Sequence, residues 1–439
     1  MKFLRFSFVL LFYLGTSSAQ SPHNTGLYGL FFDHTDAAGF ALGNTGLLPS
    51  HNSRISIANP TTWSELKFAL LSIHYNTGEI RYEEENYLAG FGILSNAVFI
   101  VPIKNKYSFG LGIKPLTRRK FHVESNKIQS VVFDNDSLLL TKSIEGTGGI
   151  SSFYSAFSWR FSHENTLALQ LDFLFGTFDE FTSSRLFEDN PETVPPVVYQ
   201  RHFEFNIKLL SLYFSSRSLL DQHNLMMYAL FQLPVGSQSL KEIDHPPFAD
   251  TGLDGIPGTG DFGEGDGIHT PGELPYLENV EEKTLTHRNF PFPVTVSGGM
   301  TYKMGGKTII GFEFLSRIFS KGSGEFLNSV STNLYNGNRI SMSLLREAKQ
   351  GSRQLTQRLH YRIGIFRHQH YISSRQKPLI QNGIGFGIGI PFGLFQNQID
   401  IGFRFSKKDG FLTDDPEFVR EVTIGLSLGD IWLVKGKRR

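Results

Sequence analysis

No cysteine occurs among the 439 residues. That absence excludes a disulfide framework, a thiolate metal site and a thiolate nucleophile. Long apolar runs are missing too. Beyond residue 19 each run is broken within a few residues by Gly, Ser, Lys, Glu or Asn, whereas a membrane-spanning helix needs roughly 20 apolar residues. If the mature chain enters a bilayer, it does so as strands. Neither sign of charge is in excess, with 42 Lys and Arg against 41 Asp and Glu. The basic footprint of nucleic-acid binding is therefore absent and no nucleic-acid partner is expected. Gly-x-Ser-x-Gly and His-Glu-x-x-His patterns are lacking, and the Gly-x-Gly-x-Gly run at 383–389 alternates with aliphatics instead of opening a phosphate loop. No enzyme is expected.

What is present is aromatic and glycine-rich: 41 Phe, 15 Tyr and 44 Gly. Lys2 and Arg5 precede an apolar run from Phe6 to Leu14 and then Ser17-Ser18-Ala19, the layout of a cleavable signal peptide over residues 1–19. Residues 20–64 are rich in Gly, Asn, Ser and Thr and read as an irregular segment. From residue 65 to about 434, segments of about ten residues alternate apolar with small or polar side chains, the pattern of a strand with one face in lipid. Ile384, Phe386, Ile388 and Ile390 alternate with Gly383, Gly385, Gly387 and Gly389. The same design recurs at Ile399–Phe405, Val422–Leu428, Phe109–Ile113, Leu167–Phe173 and Phe203–Leu209. Asp172, Glu204 and Lys208 would each cost up to several kcal/mol at mid-bilayer, so their faces must look inward or toward water. A soluble sandwich also alternates, but it rarely gives a whole strand face to glycine. The expected fold is therefore all-β: a transmembrane antiparallel β-barrel of about 14 strands in the bacterial outer membrane, in contact with outer-membrane lipid. Trp432 suits an interfacial girdle at its last strand.

The longest interruption, 237–290, is dominated by Pro, Gly, Asp and Glu, and its length places it outside the cell. Within it, residues 250–273 carry six carboxylates among eight glycines. Hard oxygen ligands on a tightly turning backbone suit calcium, with Asp250, Asp254, Asp261, Asp266 and Glu273 as the candidate ligands. The spacing does not match the 12-residue EF-hand loop, so the likeness is only to Asp/Gly calcium loops in general. A solvated acidic loop is the alternative. His368 and His370 share a strand face at a spacing that can hold a transition metal, although two polar side chains on a water-facing strand are the commoner case. Arg118-Arg119-Lys120 after Pro115 reads as a basic turn, solvated or against lipid headgroups.

The order of these features resembles the long-chain fatty-acid outer-membrane transporter family, the FadL-like barrels. The likeness is carried by Asn59-Pro60-Thr61 closing the N-terminal segment, by Tyr107–Pro115, by Phe290–Tyr302 and by Gly383–Phe392. Asn59 and Pro60 match the family's Asn-Pro-Ala hatch motif, from which Thr61 departs. The resemblance implies a 14-stranded barrel plugged by an N-terminal hatch over residues 20–64. Such a barrel carries hydrophobic small molecules inward and can release them sideways through the wall. A branch resembling the PorV-type barrels docks secreted or surface proteins instead, which makes a secreted protein the alternative partner. As an outer-membrane barrel, the chain is also expected to meet the barrel assembly machinery.

Overall fold

The computed structural model describes residues 21–430, apart from 27, 33–35, 53, 83–87, 125–128, 134–135, 187–195, 218–223, 265–269, 271–272, 274–281, 289, 306, 320–332, 350, 375–376, 394–395 and 410–415. The signal peptide, Asp266 and Trp432 fall outside the described residues.

The chain forms a closed antiparallel barrel of 14 strands. In chain order they are β1 (Ala69–Tyr82), β2 (Leu88–Ile103), β3 (Tyr107–Pro115, taken further by Phe121–Glu124 and Gln129–Phe133), β4 (Asp136–Arg160) and β5 (Asn165–Leu186). Next come β6 (Val197–Arg217), β7 (Leu225–Pro234, continued by Ser239–Asp244 and Phe248–Ala249), β8 (Val294–Met304, preceded by Lys283–Arg288) and β9 (Thr308–Ile318). The last five are β10 (Gly337–Arg346, preceded by Asn333–Leu334), β11 (His360–Ser374), β12 (Lys377–Phe392), β13 (Asn397–Asp409) and β14 (Glu417–Asp430). Closure is made by β1 against β14 over Ala69↔Asp430 to Tyr82↔Glu417. Every strand thus finds a neighbour, which bilayer burial of a sheet requires.

Alternation decides what each face meets. Leu171, Phe173, Leu212, Phe214, Ile384 and Phe386 point outward and are 39–44 % exposed, whereas Gln170 and Asp172 between them on β5 are each 2 % exposed and look inward. A ring of exposed aliphatic and aromatic side chains around a polar interior fits a lipid surround, so the barrel is an outer-membrane one.

On β6 the polar face looks to water and not inward. Phe203, Phe205, Ile207 and Leu209 point inward, and Glu204, Asn206 and Lys208 point outward. The reason is strand length. β4, β5 and β6 run 25, 22 and 21 residues, about twice the 9–11 that cross a bilayer. Their far halves stand clear of the membrane, where water takes the polar face. The apolar face packs inside on Tyr28, Phe290 and Phe292. The 237–290 segment is likewise not all loop, since Ser239–Asp244, Phe248–Ala249 and Lys283–Arg288 extend this wall. The connections at 104–106, 161–164 and 305–307 are short and so mark the periplasmic end, which leaves the described residues between 250 and 282 at the extracellular end.

The described residues between 21 and 66 lie inside the barrel. They run from a 3-10 turn (Pro22–Thr25) through a two-residue strand (Leu30–Phe31) and helix α1 (Ala37–Ala41) to a second 3-10 turn (Pro60–Glu65). Asp36 caps α1 by accepting from Gly39 N at 2.6 Å. The glycine faces of β11 to β13 exist for this plug. A Cβ on Gly364 would stand 2.1 Å from the Leu42 carbonyl carbon, and one on Gly387 2.6 Å from Ala41 Cβ.

Candidate functional site

The plug is held by carboxylates and guanidinium groups drawn from the wall. Glu313 on β9 accepts from Gly46 N (3.0 Å) and Leu47 N (2.9 Å), and from Arg339 on β10 at 2.7 Å. Arg362 on β11 pairs with Asp400 at 2.7 Å and donates to the Ser50 and His51 carbonyls at 2.8 and 3.0 Å. Arg404 pairs with Glu421, donates to Asn44 at 2.7 Å and lies over the Phe40 ring at 4.4 Å. Lys408 pairs with Glu417, which also accepts from Ser21. Each buried ion finds a counter-ion, and Glu313, Arg362, Asp400, Arg404 and Glu417 make further hydrogen bonds, which helps a dry interior to tolerate charge. No sequence signal located these pairings, because a carboxylate on an inward strand position reads the same whether it meets water or a plug.

Asn59 and Pro60 open the second 3-10 turn. Asn59 is fully buried and caps the second 3-10 turn: its Oδ1 accepts from Thr61 N (3.1 Å) and Thr61 Oγ1 (2.8 Å), while its Nδ2 donates to Leu47 O (2.8 Å). Pro60 fills the first position of the turn. Thr61, the departure from Asn-Pro-Ala, thus adds a hydrogen bond to the cap.

Between β2 and β3 the wall parts. β2 pairs with β1 along most of its length, but toward β3 only Ala97–Ile103 are laddered. Among the described residues, nothing pairs with Leu88–Asn96 on that side. The cause is a bend in the third strand. Past Pro115 the chain turns into the lumen for residues 116–120, where Leu116 N and Arg119 N bond Ile150 O and Gly148 O at 2.7 and 3.0 Å. Thr117 and Arg118 there pair with Phe31 and Leu30 of the hatch. Gly29, at φ +71°, permits this approach, since a Cβ there would lie 2.1 Å from Arg118 O. Hatch and inturned segment form a two-stranded sheet of their own at this point, apart from the barrel sheet.

A cavity of about 90 Å³ opens behind the parting, lined on its apolar side by Leu30, Phe31, Ile80, Phe91 and Val419. Arg118, Arg404, Lys408, His368 and His370 supply its polar side. Arg404 and Lys408 are paired as described. Arg118 has no ion pair among the described residues, and its guanidinium sits 5.3 Å from the centre of the Phe91 ring across the parting. The basic triplet is therefore not a solvated turn: the bend past Pro115 turns it inward, where Arg119 pairs with Glu180 at 2.6 Å and Lys120 O accepts from Ser21 N. His368 and His370 face the cavity with ring centres 3.9 Å apart. Below the hatch, a polar vestibule of about 590 Å³ opens to the periplasm past Arg54, Lys67, Arg160 and His360.

Among the described residues, no three His, Asp or Glu side chains are grouped to hold a metal. In the extracellular loop, Asp261 Oδ2 accepts from Asp254 N (2.8 Å), Asp254 Oδ1 from Ile256 N (2.8 Å), and Glu273 from Gly252 N (3.0 Å) and Thr270 N (2.7 Å). Asp250 is buried at the loop's foot, its N bonded to Pro196 O.

The profile of the BamG family matches residues 9–206 and 269–438. This chain belongs to the BamG family. As a BamG-family barrel it has the FadL-like fold. It is similar to a solved Pseudomonas aeruginosa FadL homologue, at 11% identity over 91% of this chain and 98% of that one, with a TM-score of 0.53. It is also similar to the P. putida toluene transporter TodX, at 12% identity over 91% and 99%, with a TM-score of 0.55. At such identities the likeness is one of fold. No curated protein matches this BamG-family sequence.

Proposed function

We propose that this barrel admits a small hydrophobic compound to the cavity behind the β2–β3 parting and passes it sideways along the wall. The observation that carries the reading is the coincidence of an unladdered wall segment with a cavity that has an apolar side. Burial of a ligand there is worth about 25 cal/mol per Å² of apolar surface, and Arg118 can hold an anionic head such as a fatty-acid carboxylate. The similar solved barrels include a toluene transporter, which supports apolar cargo on this fold. The test is displacement of a fluorescent fatty acid from the refolded barrel. Saturable micromolar displacement, lost in F91A and weakened in R118A, is expected. Absence of displacement from the folded wild type would sink the reading.

A second reading, a barrel that docks a secreted or surface protein or works beside the barrel assembly machinery, is favoured by the tall wall of β4 to β7. Outside the membrane its outer face carries Asp179, His202, Glu204 and Lys241. Cross-linking in intact cells tests it, since removing residues 245–285 should then release a partner without changing ligand displacement.

A further inference from the structure

The outward face of β11 to β14 and β1 changes character toward the extracellular end. On β13 the outward series runs Ile399, Ile401, Phe403 and Phe405 and then turns to Lys407 and Asp409; on β14 it rises from Leu428 through Val422 to Arg420. Strand pairing brings these changes to one level. One cross-strand row is Arg367, Asn382, Lys407, Phe418 and Arg81, and the row beside it, nearer the periplasm, is Ile365, Ile384, Phe405, Arg420 and Glu79. Basic side chains thus stand where the apolar band ends, the level at which lipid tails give way to headgroups.

Arg420 is diagonal to both Lys407 and Arg81, a relation that sets residues about 7–8 Å apart. Three cations therefore surround the Phe418 ring, with Lys407 Nζ 6.0 Å from its centre. Between them lies a groove of about 580 Å³ on the outer surface of the wall, floored by Ile384 and Phe405. Glu79 offsets Arg420 at 3.1 Å and Asp409 offsets Lys407 at 3.0 Å. Arg81 and Arg367 have no ion pair among the described residues, so the patch keeps a surplus of positive charge. The opposite wall has none, since β5 and β6 present Asp179 and Glu204 beside His202. The surplus is one patch and not a belt around the barrel.

Like charges held this close repel, and an anion among them removes the cost. Arginine forks match phosphate oxygens in pairs. The floor adds a second requirement, because Ile384 and Phe405 continue the lipid-facing band and stay 43 and 44 % exposed. A free phosphate answers only the first requirement, whereas a phosphate that carries acyl chains answers both.

We propose that this groove holds a phosphorylated lipid of the outer leaflet, with its phosphate among Arg81, Lys407 and Arg420 and an acyl chain over Phe405 and Ile384. Arg81 and Arg420 belong to the two strands that close the barrel. The lipid therefore clasps the seam from outside.

The experiment is native mass spectrometry of the full-length barrel, folded in detergent and titrated with monophosphoryl lipid A or with the same lipid after removal of its phosphate. Saturable binding of the phosphorylated form is expected, at least tenfold tighter than that of the other and not displaced by an equal concentration of inorganic phosphate. R81Q/K407Q/R420Q should abolish the preference while keeping the heat-modifiable mobility of a folded barrel, and K208Q on the opposite wall should preserve it. Equal binding of the two lipids by wild type overturns the proposal. So does displacement by inorganic phosphate, a preference unchanged in the triple variant, or an equal loss in K208Q.

Discussion

Glu313 illustrates how single residues hold the plug. It accepts from two hatch amides and from Arg339, and it is 1 % exposed. Taking one partner from a buried ion pair costs about 3–5 kcal/mol, because the remaining charge keeps its desolvation penalty. E313Q should therefore loosen the hatch near Gly46 while leaving the strands intact. Planar-bilayer recordings should show frequent current steps for E313Q against rare ones for wild type. Equal, rare steps in both would mean that the other ion pairs suffice. His23, in the first turn of the hatch, adds a pH dependence. Burial holds its pKa down from 6.5 to about 4, against the pull of Glu417 beside it and with a push from Lys408. A folded-state pKa below the unfolded one means that the neutral ring contributes fully above pH 6.5, and that this stability is lost as the pH falls toward 4. Hydrogen exchange of residues 21–32 should accelerate over that window, and the acceleration should flatten in H23N.

At the scale of elements, α1 and the glycine-lined strands are made for each other. G364V places side-chain atoms where the Leu42 carbonyl already stands, yet alters nothing on the lipid face. The expected outcome is a barrel of normal heat-modifiable mobility whose hatch is cut by protease. Full protection of the hatch would contradict the packing argument. The glycine alternation at 383–389 was visible in the sequence and so was the crowded interior that it implies, but what does the crowding, a five-residue helix, was not. Period two told which residues share a face along β5, β12 and β14. It left open whether the polar face of β6 looks inward or to outside water, and Phe203–Leu209 turn inward because that half of β6 rises above the lipid. The turn at Asn59 and Pro60 was legible because a cap and a turn-starting proline are local. The parting of the wall was not, since it arises where Arg118 meets Leu30, residues 88 apart in the chain, and no local pattern encodes that pairing. The end of the hatch also shifts: the second 3-10 turn reaches Glu65 and the first wall strand opens at Ala69.

For the molecule as a whole, the hatch separates two spaces of different character, the small cavity at the parting and the wide polar vestibule beneath. Removing residues 21–60 should join them into a water-filled conduit through a wall that stays closed by β1 and β14. Conductance should rise to a steady porin-like level, whereas a deletion that conducts no better than wild type would mean that the extracellular loops, and not the hatch, seal the barrel.

The contact between Ser21 and Glu417 spans 396 residues of chain. The segment made first is thus enclosed by the strands made last, and neither can reach its final place alone. Contacts so distant carry a heavy loop-closure cost before any reward and make folding slow. Until β14 meets β1, both edges of an apolar sheet stand open. For this chain, maturation is a packaging problem: the contents must be inside before the container is sealed.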